Sequence, residues 1–284
     1  MSALESLIAR LEALLERAER LLPPPPAPPD WQALAYRWQG GRLLPVRQVH
    51  LIDLDDLQGI EAQKAAIVRN TRQFVEGRPA NNVLLTGARG TGKSSLVKGV
   101  LAKFAKRGLR LIEVDRDDLI DLPAIIDLVA DRPERFIVFC DDLSFEASEP
   151  GYKALKSALD GSIAGAPENL LIYATSNRRH LMPEMMSENL EATRGPEGEI
   201  HPGETTEEKI SLSERFGLWL SFYPFSQDEY LAICAHWLET MLGKSALARR
   251  PGWRQEALQW ALQRGSRSGR VAWQFARDYA GRFK

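Results

Sequence analysis

The chain is short of cysteine, of histidine, of long apolar runs and of any surplus of one charge, and each shortage removes a class of function. Its 284 residues hold two cysteines, Cys140 and Cys234, far apart in sequence and flanked by apolar residues. They read as buried free thiols of a reducing compartment, not as a disulfide framework. The four histidines, His50, His180, His201 and His236, stand at no metal-ligand spacing to each other or to the cysteines, which argues against structural zinc. No apolar stretch approaches the ~20 residues that cross a bilayer. The start, Met1-Ser2-Ala3-Leu4-Glu5, lacks the basic opening of a secretory signal. A cytoplasmic protein without a membrane partner is expected. With 37 Lys and Arg against 38 Asp and Glu the net charge is −1, so no global field draws the chain to nucleic acid or anionic lipid.

Proline is plentiful, and six prolines crowd into Pro23-Pro24-Pro25-Pro26-Ala27-Pro28-Pro29. Before that run, Leu4, Leu7, Ile8, Leu11, Leu14, Leu15 and Leu22 recur at helical spacing, with Glu5, Glu12, Glu16, Arg17 and Arg20 on the other face. An amphipathic helix over 1–22 is expected, then a stiff polyproline spacer over 23–29. The helix either docks back on the main domain, pairs with another copy or binds a partner. Residues 30–55 read as a connecting segment with a turn at Gly40-Gly41.

From 56 to 223 apolar strands alternate with helical stretches. Strands are expected at Asn82–Thr86, Arg110–Val114, Arg135–Cys140, Leu170–Thr175 and Leu218–Tyr223. Helices are expected at Glu61–Glu76, Lys93–Lys106, Leu122–Ala130 and Tyr152–Leu159. The alternation predicts an α/β fold, a parallel five-stranded sheet between two helical layers. From 224 to 284 the pattern is helical only, opening on the capping box Ser226-Gln227-Asp228-Glu229. This predicts a small all-helical lid domain, in which Trp237, Trp253, Trp260 and Trp273 read as core.

The sharpest signal is Gly87-Ala88-Arg89-Gly90-Thr91-Gly92-Lys93-Ser94, followed by Ser95, placed directly behind the strand Asn82–Thr86 and at the start of a helix. Glycines let a backbone curl its N–H groups around an anion, and the helix start adds its dipole. Lys93 then reaches the β- and γ-phosphates and the Ser94 hydroxyl holds Mg²⁺, so ATP and Mg²⁺ are the expected cofactors. Phe136-Ile137-Val138-Phe139-Cys140-Asp141-Asp142 delivers two carboxylates to the sheet edge where a parallel α/β fold keeps its ligand. Asp141 is expected in the Mg²⁺ shell, and Asp142 orients and polarises the attacking water. Leu171-Ile172-Tyr173-Ala174-Thr175-Ser176-Asn177 ends in small polar groups, and Asn177 is expected on the γ-phosphate or the water.

Ser213-Glu214-Arg215-Phe216 and Gly269-Arg270 complete an order of motifs that resembles the AAA+ ATPases. Three longer words, Phe139–Glu146, Ala174–Leu181 and Gly265–Ala272, resemble a bacterial family of AAA+ ATPases to which no function is assigned. The resemblance covers roughly residues 54–284. It implies that Arg215 is an arginine finger on a neighbouring subunit's γ-phosphate, and that Arg270 swings from the lid onto the phosphates of its own subunit. It further implies that Leu57, Gly59 and Ile60 line the adenine pocket, and that the protein works as a homo-oligomer.

Two departures shape the functional expectation. Where most AAA+ proteins carry Asp-Glu, this chain carries Asp141-Asp142, and a carboxylate withdrawn by ~1 Å can cost ~10²-fold in rate. Glu146 is the reserve candidate for the base. The place of an aromatic pore loop holds Asp115-Arg116-Asp117-Asp118-Leu119, which argues against processive unfolding. A long loop over 180–212 is expected to gate the subunit seam or contact a client. The leading expectation is an ATPase that turns over slowly at subunit interfaces and remodels or loads a protein partner. The alternative is a nucleotide-gated switch resembling initiators and helicase loaders. Arg178-Arg179-His180, Arg249-Arg250 and Arg264/Arg267/Arg270 are basic clusters that leave nucleic-acid contact open without favouring it.

Overall fold

In the computed structural model the described residues are 7, 8, 10–12, 28–145, 150–160, 167–177, 193, 194, 200, 201, 212–250 and 252–283. The chain divides into two compact units, Met1–Trp31 and Gln32–Lys284. In the first, residues 7, 8 and 10–12 are helical. The rest of the expected 1–22 helix and the proline run through residue 27 lie outside the described residues, as do Glu146, Arg178, Arg179, His180 and most of the 180–212 loop.

The second unit is built on a single large sheet. Its strands are β1 (Ala35–Gln39), β2 (Arg42–Pro45), β3 (Val83–Gly87), β4 (Leu109–Glu113), β5 (Arg135–Cys140), β6 (Leu170–Ser176) and β7 (Leu218–Phe222). Their order across the sheet is β2-β1-β4-β5-β6-β3-β7. All neighbours run parallel except β1 and β2. The five expected strands are therefore present, and the expected count of five is corrected to seven. The two extra strands come from residues 35–45, a hairpin whose two-residue turn is Gly40-Gly41 at φ 56° and 72°. Positive φ at both central positions is the turn geometry that matches strand twist. A separate two-residue ribbon pairs Thr193–Arg194 with Ile200–His201.

Four helices cover the sheet: α1 (Glu61–Val75), α2 (Lys93–Phe104), α3 (Leu122–Val129) and α4 (Pro150–Asp160). Ile67 and Phe74 of α1 and Leu96, Val100 and Leu101 of α2 share one buried cluster with Val83, Leu85, Leu111, Ile137 and Tyr173 from the strands. The alternate strand residues Leu84, Ile112, Val138 and Ile172 are buried as well, and the two-residue period turns them to the opposite side. Leu122, Ile125, Val129, Tyr152 and Leu155 of α3 and α4 are buried too. Every residue of β6 is buried, as an inner parallel strand requires.

After β7 the chain is helical: α5 (Gln227–Leu242), α6 (Lys244–Ala248), α7 (Trp253–Gln263) and α8 (Gly269–Gly281). Ser226 and Glu229 close a capping box on α5. One tryptophan expectation needs correction. Trp253 is buried and Trp237 and Trp260 are half-buried, whereas Trp273 is 38% exposed. The helical period explains it: Val271, Ala272, Phe275, Ala276 and Tyr279 take the inner face of α8, which leaves Arg270, Trp273 and Arg277 together on the outer one. No helix among the described residues is long and apolar enough to cross a membrane.

Candidate nucleotide-binding site

Strand order brings the three motifs together. β5, β6 and β3 are consecutive neighbours, so Asp141 and Asp142 after β5, Asn177 after β6 and the glycine loop after β3 all leave the same edge. This is the edge where open parallel sheets hold ligands.

The loop between β3 and α2 is fixed by close backbone approaches. Gly87 has φ 126°, and a Cβ there would sit 1.9 Å from the Phe222 carbonyl oxygen of β7. The same oxygen accepts from the Ala88 N–H at 3.1 Å. At Gly90, φ 74°, a Cβ would meet Ser268 Oγ at 2.8 Å. The Gly90 carbonyl accepts from the Arg270 N–H at 3.3 Å, which ties the start of α8 to the loop. Thr91 Oγ1 donates to the Ala88 carbonyl at 2.8 Å and closes the loop internally.

Lys93 opens α2 and is 6% exposed. Its three protons are all taken: Nζ donates to Gly87 O at 2.7 Å, Ala88 O at 2.8 Å and Asn177 Oδ1 at 3.0 Å. Burial holds its pKa below the ordinary lysine value. Asp142 and Asp141 pull it back up, while Arg89 and Arg270 push it further down. The amide of Asn177 is shared, because its Nδ2 donates to Asp142 Oδ1. A neutral side chain thus bridges the buried cation and the second carboxylate.

The two carboxylates are held from β6. Ser94 Oγ and Thr175 Oγ1 both donate to Asp141 Oδ1, each at 2.6 Å. Thr175 Oγ1 also accepts the Asp142 N–H at 2.9 Å, and the Thr175 carbonyl accepts the Leu143 N–H at 2.7 Å. Between those two clamps Asp142 takes φ 53°, the one positive φ outside glycine among the described residues. Thr175 is 2% exposed and was missing from the sequence reading. The signal was available, since a two-residue period sets Thr175 and Asn177 on one side of their strand.

The remaining expected residues fall into three places. Leu57 and Ile60 approach Gly92, whose Cβ position lies 3.9 and 3.5 Å from their methyl groups, and Gly59 abuts Phe225. Just before them, His236 Nε2 of α5 lies 2.9 Å from Asp56 Oδ1. Arg270 is exposed at the start of α8. Arg215 stands apart, at the turn before β7, where its Nε donates to Asp160 at the end of α4. Ser95 follows the loop and is half-buried, and Arg89 lies within it and is exposed. A cleft of about 740 Å³ opens between Ala88, Arg89 and Thr91 on one wall and Phe225, Leu258 and Arg267 on the other. That volume lies in the range of small-molecule sites, ~300–1,000 Å³. Ser94 and Asp141 supply adjacent hard oxygen donors of the kind Mg²⁺ takes. The glycine loop, Lys93 and the α2 start suit a polyphosphate.

A family model described as "Protein of unknown function (DUF815)" matches residues 31–283. No curated protein matches the chain. Among solved structures, the Aeropyrum pernix Orc1 protein in complex with DNA is similar at 17% identity and a TM-score of 0.52, with 80% of this chain and 62% of that one covered. The Thermotoga maritima RuvB Holliday junction branch migration motor is similar at 16% identity and a TM-score of 0.39, with 78% and 70% covered. The fold is that of the AAA+ P-loop proteins.

Proposed function

The chain belongs to the DUF815 family, and from that premise we propose that it binds ATP with Mg²⁺ on the Gly87–Ser94 loop and hydrolyses it slowly, at seams between copies of itself, to remodel or load a protein partner. The observation that carries this reading is the continuous polar set Lys93–Asn177–Asp142 beside Ser94–Asp141–Thr175. It joins three sequence-distant motifs at one sheet edge. Lys93 exchanges the carbonyls of Gly87 and Ala88 for phosphate oxygens. Ser94 and Asp141 hold Mg²⁺, which neutralises phosphate charge as it builds. Asp142 orients the attacking water and Asn177 keeps Asp142 and Lys93 in register. Leu57, Gly59 and Ile60 face the base, and Arg270 reaches the phosphates of its own subunit. Arg215 leaves Asp160 to reach a neighbour's γ-phosphate; such fingers are worth ~10³–10⁵ in rate. Under this reading residues 56–223 form the ATPase domain and 224–284 the lid.

The test is turnover per subunit against protein concentration, run beside light scattering with ATP and an Asp142→Asn trap. Rate per subunit and mass should rise together, and the trap should bind ATP, assemble and not hydrolyse. A rate independent of concentration removes the trans finger, and failure to bind labelled adenine nucleotide with Mg²⁺ removes the whole reading. A nucleotide-gated switch with little turnover is the second reading. It is favoured by Asp142 itself, one methylene shorter than glutamate and already engaged by Asn177. Assembly on ATP without measurable hydrolysis would select it.

A further inference from the structure

The net charge of −1 conceals a split. Residues 244–284 carry ten Lys and Arg against two acidic residues, Glu256 and Asp278, so this stretch stands at +8 and the preceding 243 residues at −9. Both acids are consumed by one cation, since Arg282 pairs with Glu256 at 2.9 Å and with Asp278. Arg249, Arg254, Arg264, Arg267 and Arg277 are all exposed, and none pairs with a carboxylate among the described residues. A folded surface normally intersperses both signs, because unpaired like charges repel.

The outer face of α8 adds an aromatic to that field. Arg277 lies over the Trp273 ring at 4.6 Å from its centroid, and Arg267 stands in the turn just ahead of the helix. A guanidinium stacked on indole is held extended with its rim donors free, so little rotamer freedom is lost when it grips an oxyanion. At 1.5 Å per residue α8 rises about 12 Å from Gly269 to Arg277, and Arg267 precedes the helix by two residues. In a duplex the base faces are hidden in the stack, whereas unpaired bases offer theirs to an exposed aromatic ring. We propose that the outer face of α8, with Trp273 and Arg277 at its centre and Arg267 in the turn ahead of it, at the rim of the cleft, is a binding surface for single-stranded nucleic acid. Arginines hold the phosphates and Trp273 takes a base.

The experiment is fluorescence anisotropy of the full chain with a labelled 30-nucleotide mixed-sequence strand and with a duplex of the same length, titrated at salt from about 50 to 200 mM. The parent should bind the strand more tightly than the duplex. On single strands each lost phosphate contact removes about 0.7 from the slope of log K on log salt. R267Q/R277Q should therefore flatten the slope by about 1.4, so that about sevenfold of the parent's salt loss disappears over that range. Trp273→Ala should weaken binding about 5- to 150-fold at fixed salt with the slope kept. K103Q/K106Q, at and just past the far end of α2, makes the same change of net charge and should leave the slope alone. R267K/R277K, which keeps the charge, should keep the slope and guards against misfolding of the glutamine pair. The proposal is overturned if the parent fails to bind the strand at 50 mM salt, or if both double-glutamine variants lose equally. It is also overturned if a poly-glutamate peptide competes as well as the oligonucleotide, or if R267Q/R277Q alters only the mass of the assembly.

Discussion

Thr175→Val separates a structural from a functional role for the hydroxyl that joins β6 to the two carboxylates. Valine keeps the branched shape and removes only Oγ1, which donates to Asp141 and accepts from Asp142 N–H. A hydrogen bond to a charged group contributes about 1.5–3 kcal/mol, and the stranded N–H adds to the loss. The sum is about 2–4 kcal/mol, a fall in Tm of about 4–16 °C for a unit of this size. For function the argument is geometric. With the hydroxyl clamp gone and only the Thr175 carbonyl bond to Leu143 N–H left, Asp142 is held at φ 53° from one side alone, and a drift of ~1 Å at a reacting group costs ~10²-fold. Turnover should fall about 100-fold in Thr175→Val and about threefold or less in Thr175→Ser, which keeps the hydroxyl. Fluorescent ATP analogue binding supplies the readout that stability alone cannot move. Without Mg²⁺ the affinity should match the parent, because Thr175 touches neither the loop nor Lys93. The gain on adding Mg²⁺ should vanish in the valine variant only. Equal turnover in parent and Thr175→Val, or an equal loss in serine and valine, refutes the reasoning.

Burial holds Lys93 below the usual lysine value of 10.5, and bound phosphate restores its charged form. ATP affinity should therefore fall as pH rises through the depressed pKa, by up to about tenfold per unit, with proton uptake visible as buffer-dependent calorimetric heat. The unliganded protein shows the opposite sign from this group, gaining stability from the depressed pKa up to about 10.5 because the unfolded chain binds the extra proton; flat affinity through that window sinks the assignment. Burial pushes the Cys140 and Cys234 thiols up to about 12, so a disulfide-exchange reagent near pH 8 should label neither in the native protein and both in denaturant. Gly87→Ala should lower Tm by about 6–20 °C, since its Cβ meets Phe222 O at 1.9 Å and φ is 126°. Gly108→Ala, at φ 88° in open space, should lower Tm by about 2–4 °C; equal shifts would show that strain and not contact governs both.

Local rules made the inner sheet readable. β3, β5 and β6 are short apolar runs closed by punctuation, and an inner parallel strand has no other way to look. The β1–β2 hairpin escaped because Ala35-Tyr36-Arg37-Trp38-Gln39, next to the edge strand β2, mixes charge with aromatics and carries a weak hydrophobic pattern. Its turn was visible as Gly40-Gly41, but its partner β4 lies some seventy residues away, and parallel pairing leaves no mark in local sequence. Trp273 escaped for a related reason: aromatic content names a core residue only once the helical phase is known, and that phase was set by Ala272, Phe275 and Ala276. The site was legible motif by motif. What no motif spelled was Thr175, whose importance lies in a contact across two strands.

That contact also accounts for the chain's main departure from the AAA+ pattern. A left-handed φ is costly for residues with long side chains and is tolerated best by Asn and Asp, whose short polar groups bond locally. Position 142 is held at φ 53° between an N–H bonded to the Thr175 hydroxyl and a following N–H bonded to the Thr175 carbonyl. A glutamate there would keep both backbone bonds but adopt the left-handed φ less readily than aspartate does. The side chain would also overshoot Asn177, whose Nδ2 now meets Asp142 Oδ1, and so break the link from that carboxylate to Lys93. The aspartate is therefore set by backbone geometry as much as by chemistry. The shorter reach of the second carboxylate follows from the way β5 leaves the sheet.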